Sequence, residues 1–259
     1  MSEPQVGDGA FPAPALVPAL RVESLTAGYG DLMAVRQVSF EVAPGSLLTV
    51  LGRNGAGKTS TLLAITGFMR AREGRVVLLG EDVTAQPVQK RILAGLSCVQ
   101  EGRRIFRKLT VAENLLIGTV PLRLPRSERN SRLQATYERF PLLADKRNET
   151  ADRLSGGQQQ VLAIAQALMS SPKVLLLDEP SAGLAPAVLD SVMETVRHLK
   201  DEGLAVVLVE QLVTRAMREA DNVAILEGGR IVHYGPASDA AALQVAREVY
   251  LSERPQAPV

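Results

Sequence analysis

The chain has 259 residues, of which 46% are hydrophobic and 22% are charged, a composition typical of a soluble protein with a substantial core. Its formal net charge of +1 gives no electrostatic argument for a polyanionic partner such as DNA, and its single cysteine, Cys98, excludes an intramolecular disulfide framework. No apolar run approaches the roughly 20 residues that a membrane-spanning helix needs. If the protein acts at a membrane, we expect it to be peripheral.

The predicted elements begin after a segment rich in proline, alanine and glycine. Residues 1–19 show no hydrophobic period, and we predict a flexible extension there. Residues 20–252 alternate apolar runs of strand length with helical patterns, whereas residues 253–259 have the composition of a frayed tail. The predicted strands cover residues 20–25, 38–42, 47–51, 76–79, 174–177, 205–209, 223–226 and 230–234. A Glu-Gly-Gly turn at 227–229 indicates a hairpin between the last two.

Helical patterns lie between these strands. One predicted helix covers residues 58–66, and the stretch from about 110 to 170 is mostly helical in pattern, with a proline- and arginine-rich break at 121–129. The sequence shows no internal repeat. It therefore predicts an α/β core with a helical insertion in its middle.

A glycine-rich segment, GRNGAGKT at residues 52–59, lies between a predicted strand and a predicted helix. This context is the one in which G-x-x-x-x-G-K-T forms a phosphate-binding loop, because the glycines let backbone N–H groups turn toward phosphate oxygens and the helix adds its positive end. Lys58 can reach the β- and γ-phosphates, Thr59 can ligate Mg²⁺, and Ser60 can bind on the α-phosphate side. The predicted nucleotide-binding residues of the loop are Gly52, Arg53, Asn54, Gly55, Ala56, Gly57, Lys58, Thr59 and Ser60.

Two carboxylates follow the apolar run at residues 174–177. A buried parallel strand there would place Asp178 at its carboxyl end, beside the phosphate loop, where it can hold Mg²⁺ through water. Glu179 would then be placed to polarise the attacking water as a general base. The pair predicts a site that hydrolyses a nucleotide.

A second motif, LSGGQ at residues 154–158, begins another predicted helix. Ser155 and Gln158 have the spacing of a capping box, which explains the serine and the glutamine but not the two glycines between them. Gly156 and Gly157 would open the helix start to close approach by a phosphate. Within one chain such a site would have no ligand.

The two motifs together resemble the ATP-binding-cassette (ABC) family, and the resemblance covers about residues 20–250. It implies an α/β fold with a P-loop ABC ATPase core, an antiparallel β subdomain and a helical signature subdomain at about residues 102–170. It also implies ATP and Mg²⁺ as cofactors and a signature that contacts the ATP held by an opposite subunit. Tyr29 lies where the family has an aromatic residue that stacks on adenine.

The sequence departs from the family pattern at three positions. The family usually has a glutamine that senses Mg²⁺ and water; counting back from Phe106 places this position at Glu101, and a one-residue shift would place it at Gln100. Gln211 stands where the family usually has a histidine that contacts the γ-phosphate, and Ala185 replaces the usual aspartate after the base. Gln211 can donate a hydrogen bond but carries no charge. The departures favour a partner chain that differs from this one, although a homodimer stays open.

These departures resemble one subgroup, the LivF-type ATP-binding subunits of branched-chain amino-acid importers. The resemblance rests on EGRRIF at 101–106, LTVAENL at 109–115, DEPSAGLAP at 178–186 and VEQ at 209–211. It implies a second ABC ATPase subunit of the LivG type, two membrane permeases and an external substrate-binding protein. It also implies a peripheral location on the cytoplasmic face of the bacterial inner membrane, with contact to the permeases near residues 103–109. Taken alone, Phe106 and Leu109 are each better explained as core residues.

The main hypothesis is therefore an ATPase subunit that energises import of branched-chain or other hydrophobic amino acids. One alternative is the ATPase subunit of a urea, amide or other amino-acid importer. Another is an ABC ATPase that drives no transport, but the long coiled coil or second fused cassette usual in such proteins is absent from the sequence. A third is a binding module with an inactive nucleotide site, and the presence of Lys58 and Glu179 argues against it.

Overall fold

The computed structural model describes residues 17–102 and 104–251. Most of the predicted N-terminal extension and the predicted tail lie outside the described residues. The strands are β1 Leu20–Tyr29, β2 Leu32–Val42, β3 Leu47–Leu51, β4 Ala71–Leu78, β5 Glu81–Asp82, β6 Leu96–Val99, β7 Val174–Asp178, β8 Ala205–Glu210, β9 Asn222–Glu227 and β10 Arg230–Pro236. The helices are α1 Lys58–Thr66, α2 Val88–Leu93, α3 Val111–Ile117, α4 Arg126–Arg139, α5 Pro141–Asp145, α6 Gly156–Leu168, α7 Pro186–Asp201, α8 Val213–Glu219 and α9 Ala240–Leu251.

The larger of two sheets has six strands in the order β10-β9-β3-β8-β7-β6. Its strands from β9 to β6 pair in parallel, and β10 is antiparallel to β9. Strands β3, β7 and β8 are buried along their whole length, because both faces of the sheet are covered. Val207 of β8 packs into the core with α1 and the smaller sheet, while its neighbour Leu208 packs into the core with α6 and α7. This layering brings the carboxyl ends of β3, β7 and β8 to one edge, where ligands bind in such sheets.

The smaller sheet is antiparallel, with four strands in the order β2-β1-β4-β5. Buried side chains alternate with more exposed ones along β1, and Leu20, Val22, Leu25 and Ala27 point into the core. The chain between β6 and β7 is helical throughout its regular elements, with two 3₁₀ turns at Val120–Leu122 and Ala151–Arg153. The expected mixed fold, with an antiparallel sheet and a helical segment beside an α/β core, is confirmed.

Capping boxes begin two helices of this segment. The Thr110 hydroxyl accepts from Glu113 N at the start of α3, and the Ser155 hydroxyl accepts from Gln158 N at the start of α6. In both, the side chain three residues on also accepts from the backbone N–H of the cap residue. The predicted capping role of Ser155 is thus confirmed, and the chain contains a second instance of the same device.

Two local features differ from what the sequence predicts. The predicted break at 121–129 is shorter, because α4 begins at Arg126, directly after Pro125. Proline at a helix start presets the backbone without costing an intrahelical hydrogen bond, so Pro125 is accommodated as the N-cap of α4. Strand β6 was not predicted, since its four residues, LSCV, give no clear apolar period; it forms by parallel pairing with β7. No helix in the described ranges is long and apolar enough to cross a bilayer.

Candidate nucleotide site

A cleft of about 360 Å³ lies at the carboxyl edge of the large sheet. It brings together residues from β2, the loop after β3, the start of α1 and the segments that follow β6, β7 and β8. The lining residues are Ala34, Asn54, Gly55, Gly57, Lys58, Thr59, Ser60, Glu101, Glu179 and Gln211. Most residues that the sequence predicted for the nucleotide and its hydrolysis therefore meet in one cleft.

The loop between β3 and α1 has the shape that its glycines allow. Gly55 and Gly57 have positive φ angles of 80° and 104°, which L-residues with a side chain rarely adopt. A Cβ at Gly57 would lie 2.4 Å from the carbonyl oxygen of Ala34, so even alanine would clash there. Helix α1 begins at Lys58 and ends at Thr66, as predicted. The positive end of the helix thus meets the cleft.

The Lys58 side chain is buried and lies inside the loop. Its ammonium donates to the carbonyl oxygens of Gly52 at 2.8 Å and Arg53 at 3.2 Å. Its Nζ is also 3.4 Å from Oε1 of Glu179. The Lys58 ammonium is therefore held by carbonyl oxygens of the same loop that would bind the phosphates. It also links that loop to Glu179, the predicted base.

Thr59 and Asp178 lie side by side, with the Thr59 hydroxyl donating to Oδ1 of Asp178 at 3.3 Å. Burial raises the pKa of the Asp178 carboxyl from its ordinary value of 3.8 to about 6; the Thr59 hydrogen bond opposes the shift, while Glu179 and Glu101 add to it. In the described part of the chain no three His, Cys, Asp or Glu side chains converge as a metal cage. One carboxylate and one hydroxyl fit Mg²⁺, which takes its other ligands from water and phosphate oxygens.

Glu179 follows Asp178 in a strained backbone conformation, with a positive φ of 45°. Its N–H donates to the carbonyl oxygen of Val209 at 3.0 Å, which fixes the turn away from β7. Its Oε2 accepts from Nε2 of Gln211 at 2.5 Å. A non-glycine residue in this region costs on the order of 1–3 kcal/mol and is typical of functional sites. Two side chains, Lys58 and Gln211, therefore hold the carboxylate that the strained backbone presents to the cleft.

Glu210, which sequence reasoning missed, is buried at the end of β8. Its Oε2 accepts from the Ser181 hydroxyl at 2.7 Å and from Gln211 N at 3.3 Å. Oε1 is buried without a hydrogen-bond partner among the described residues, and burial raises the pKa of the carboxyl. Through its two hydrogen bonds, Glu210 connects Ser181, in the segment after Glu179, to Gln211. One signal in the sequence could have indicated Glu210: it directly follows the apolar run 205–209, just as Asp178 follows the run 174–177.

The two candidates for the Mg²⁺ and water sensor face different spaces. Glu101 lines the cleft, whereas Gln100 lines a neighbouring groove of about 290 Å³ between the core and the helical segment.

Tyr29 ends β1 and pairs with Leu32 across the hairpin, with 62% of its surface exposed. It lies two strand positions past Ala27, near the β2 segment that contributes Ala34 to the cleft. Its ring is therefore open to stacking.

The signature residues are not among the described residues that line the cleft. Ser155 is exposed at the start of α6, while Gly157 is buried, and a Cβ there would lie 1.9 Å from Cγ1 of Val188. Glycine at 157 is thus needed for packing against α7. Contact of this helix start with a nucleotide on another chain remains a prediction.

Comparison with known proteins gives a consistent result. The family model described as "ABC transporter" matches residues 35–182. A high-affinity branched-chain amino acid transport ATP-binding protein, BraG, from Pseudomonas aeruginosa is 38% identical over 90% of this chain and 99% of its own length. A probable branched-chain amino acid transport ATP-binding protein, LivF, from Archaeoglobus fulgidus is 35% identical over 85% of this chain and 93% of its own length.

Solved structures agree with the fold. An ATP-binding cassette of an ABC transporter superposes with a TM-score of 0.81 at 28% identity, covering 91% of this chain and all of the other. A nucleotide-free cassette superposes with a TM-score of 0.79 at 27% identity, over 92% of this chain and all of the other. With the loop, the carboxylate pair and the signature in their places, this chain belongs to the ABC transporter family of ATP-binding proteins.

Proposed function

We propose that this chain is the ATP-hydrolysing subunit that energises import of branched-chain or other hydrophobic amino acids. The observation that carries the proposal is the similarity to BraG, 38% identical over 232 residues and nearly its full length. A lipopolysaccharide export ATP-binding protein, LptB, from Acidithiobacillus ferridurans is also similar along its length, but at 32% identity. The intact cleft supports an active enzyme in place of a silent binding module.

The chain's own residues supply each part of a hydrolysis site. The loop amides and Lys58 bind the phosphates, and Tyr29 stacks on the adenine. Thr59 and Asp178 would hold Mg²⁺, which would supply positive charge to offset that of the phosphates. Glu179 accepts the proton of the attacking water, and Gln211 orients the Glu179 carboxylate. Lys58 must leave Glu179 when it turns to the phosphates, which frees one carboxylate oxygen for water.

Catalysis needs a second subunit over the cleft. In this proposal Ser155, Gly156, Gly157 and Gln158 of one chain close over the nucleotide of the other, and hydrolysis reopens the pair. This chain's site would differ from that of a partner with the family's usual residues, because it has Glu101, Ala185 and Gln211 at three of those positions. We therefore infer a heterodimer with a LivG-like subunit at the cytoplasmic face of the inner membrane. The dimer would lie beneath two permeases, and an external binding protein would deliver the substrate to them.

The groove beside the cleft is the proposed permease contact. Phe68 lines it with 62% of its surface exposed, and Phe106, in the segment predicted to contact permeases, is 53% exposed. Exposed aromatic residues are typical of protein–protein contact surfaces, and Arg104, in the same segment as Phe106, lines the groove with Phe68. Because the consecutive residues Gln100 and Glu101 face the groove and the cleft respectively, a shift of this segment would connect the two. Phe68→Asp should release the permeases without weakening ATP binding. Val232→Asp, at an exposed position on β10 that lines neither the groove nor the cleft, should change neither permease binding nor ATP binding.

The decisive test is deletion of the gene in its host, followed by uptake of labelled leucine, glutamate and urea. We expect loss of leucine uptake, restored by the wild-type gene and not by the Glu179→Gln variant. Lost urea uptake with unchanged leucine uptake would overturn the substrate assignment. Unchanged uptake of all three, with ATP hydrolysis intact in the purified protein, would favour an ABC ATPase outside amino-acid import.

A further inference from the structure

We propose that Tyr250, in the last turn of α9, is a positioning residue for the phosphate loop, so that the C-terminal helix is part of the nucleotide site. The inference rests on the proposed function, since it takes ATP as the ligand of that loop. Neither the loop motif nor the carboxylate pair indicates this contact, because Tyr250 and Gly52 are 198 residues apart in sequence.

One hydroxyl group satisfies both backbone groups of the first loop residue. The Tyr250 hydroxyl donates to the carbonyl oxygen of Gly52 at 3.0 Å and accepts from the N–H of Gly52 at 3.1 Å. Gly52 is buried, so each of these groups needs a partner. A phenylalanine at 250 would keep the ring and lose both hydrogen bonds. Burial raises the pKa of the Tyr250 hydroxyl, so it keeps its proton at neutral pH.

Helix α9 is anchored where it can make this contact. Ala242, Ala246 and Val249 lie on one face of the helix and are buried. Ala246 and Val249 share a hydrophobic cluster with Leu51 of β3 and Ile225 of β9. Leu51 directly precedes Gly52. The same packing therefore fixes the end of β3 and the turn of α9 that carries Tyr250.

The Gly52 peptide is also the point to which Lys58 is attached. Its carbonyl oxygen accepts from the Lys58 ammonium at 2.8 Å as well as from Tyr250. A Cβ at Gly52 would lie 2.6 Å from the carbonyl oxygen of Leu226, so the peptide has no room to move toward β9. When Lys58 turns to phosphates it leaves this carbonyl, and Tyr250 remains to hold the peptide. The hydroxyl thus preserves the loop geometry in the nucleotide-bound state.

The chain contains a matched control. The Tyr234 hydroxyl donates to the carbonyl oxygen of Glu41 at 3.0 Å and accepts from its N–H at 3.3 Å, the same double contact with one backbone residue. Tyr234 lies on β10 and Glu41 on β2, and neither lines the cleft. Replacing either tyrosine by phenylalanine removes two hydrogen bonds to one backbone residue, although those of Tyr234 are exposed to water and those of Tyr250 are part-buried. Only Tyr250→Phe removes it from the phosphate loop.

The test measures ATP affinity of the purified full chain with Mg²⁺, by displacement of a fluorescent ATP analogue, for wild type, Tyr250→Phe and Tyr234→Phe. Since one to two lost hydrogen bonds are at stake, we expect Tyr250→Phe to weaken ATP binding about 3- to 10-fold and Tyr234→Phe to leave it unchanged. Hydrogen exchange of the peptide that contains Gly52 gives a second measure, and it should quicken in Tyr250→Phe alone. The melting temperature should fall more in Tyr250→Phe than in Tyr234→Phe, because water can replace the exposed hydrogen bonds of Tyr234.

Two outcomes would overturn the inference. One is an ATP affinity of Tyr250→Phe equal to wild type, with unchanged exchange at Gly52. The other is equal weakening by both substitutions, which would indicate a general loss of stability. A wild-type protein that binds no ATP would contradict the proposed function itself, and so the two failures are distinguishable.

Discussion

Gln211 donates a hydrogen bond from Nε2 to Oε2 of Glu179, with 2.5 Å between the atoms. The residue that stands in the place of the family's usual histidine thus holds the predicted base by a neutral amide. Because an amide has no proton that titrates near neutral pH, orientation of Glu179 does not depend on pH through this residue. The carboxylate's other oxygen faces Lys58 at 3.4 Å, so the two holding groups are of different kinds, one neutral and one charged.

Replacement of Gln211 by histidine should change the ATPase rate only modestly, within about threefold, because an imidazole N–H can donate to Glu179 in the same direction. Gln211→Leu removes the donor and should lower the rate by about tenfold or more, since a hydrogen bond to a charged group is lost. Steady-state phosphate release by the assembled transporter, measured across pH, checks both. A wild-type rate in Gln211→Leu would contradict an orienting role.

Glu179→Gln should abolish turnover while ATP still binds. The glutamine side chain keeps an oxygen for the Gln211 amide but cannot accept a proton from water, and loss of a general base lowers rates by about 100-fold or more. With the partner subunit present, the variant should accumulate as an ATP-bound closed dimer by size-exclusion chromatography. Glu81→Gln, on exposed β5, is the control and should hydrolyse ATP normally. Undiminished turnover in Glu179→Gln would refute the mechanism.

How far the sequence predicts this site depends on the distance over which each residue finds its partners. The phosphate loop and α1 follow from adjacent glycines, a strand and a helix start, and the predicted bounds of α1 are those observed. The capping box at Ser155 is likewise local. By contrast, Glu210 meets Ser181 29 residues away and Tyr250 meets Gly52 198 residues away, so no local pattern predicts either contact. The packing of β7 beside β8 brings Ser181 to Glu210, and the packing of α9 against β3 brings Tyr250 to Gly52.

Asp178 should make the nucleotide-free protein less stable as pH rises. Its folded pKa is about 6 against an ordinary 3.8, so between these values the folded state binds more protons than the unfolded state, and stability is lost as pH rises from about 4 to 6. Asp178→Asn removes this loss, which is at most about 3 kcal/mol for a shift of about two units. We expect a higher melting temperature for the variant at pH 8.

The same substitution should weaken Mg²⁺-dependent ATP binding, because an amide is a poorer Mg²⁺ ligand than a carboxylate. Asp145→Asn, at an exposed position in α5, provides the comparison and should alter neither the melting temperature nor the Mg²⁺ dependence. Melting curves from pH 4 to 8 and ATP titrations at several Mg²⁺ concentrations separate the two effects. A destabilised Asp178→Asn at pH 8 would argue against burial as the cause of the raised pKa.

Glu101 and Gln100 should differ in their effect on the metal requirement. Glu101 lines the cleft and its charge contributes to the raised pKa of Asp178, so it adds negative potential where phosphates bind. Glu101→Gln should therefore tighten ATP binding in the absence of Mg²⁺ and raise the Mg²⁺ concentration needed for half-maximal hydrolysis. Gln100→Ala should do neither, since Gln100 faces the groove. The reverse ranking in Mg²⁺ titrations would assign the sensor position to Gln100.

Ser155 and Thr110 form equivalent capping boxes at the starts of α6 and α3, and this allows stability to be separated from function at the signature. Ser155→Ala and Thr110→Ala each remove an acceptor for an N-terminal N–H, and each should cost about 1 kcal/mol of unfolding free energy. If Ser155 also contacts ATP on the opposite chain, Ser155→Ala alone should reduce ATP-dependent dimerisation with the partner subunit. Denaturant unfolding measures the shared loss. To measure the loss specific to Ser155, each substitution is combined with Glu179→Gln, and dimerisation with ATP is followed by sedimentation. Equal dimerisation of the two double variants would show that Ser155 acts only as a helix cap.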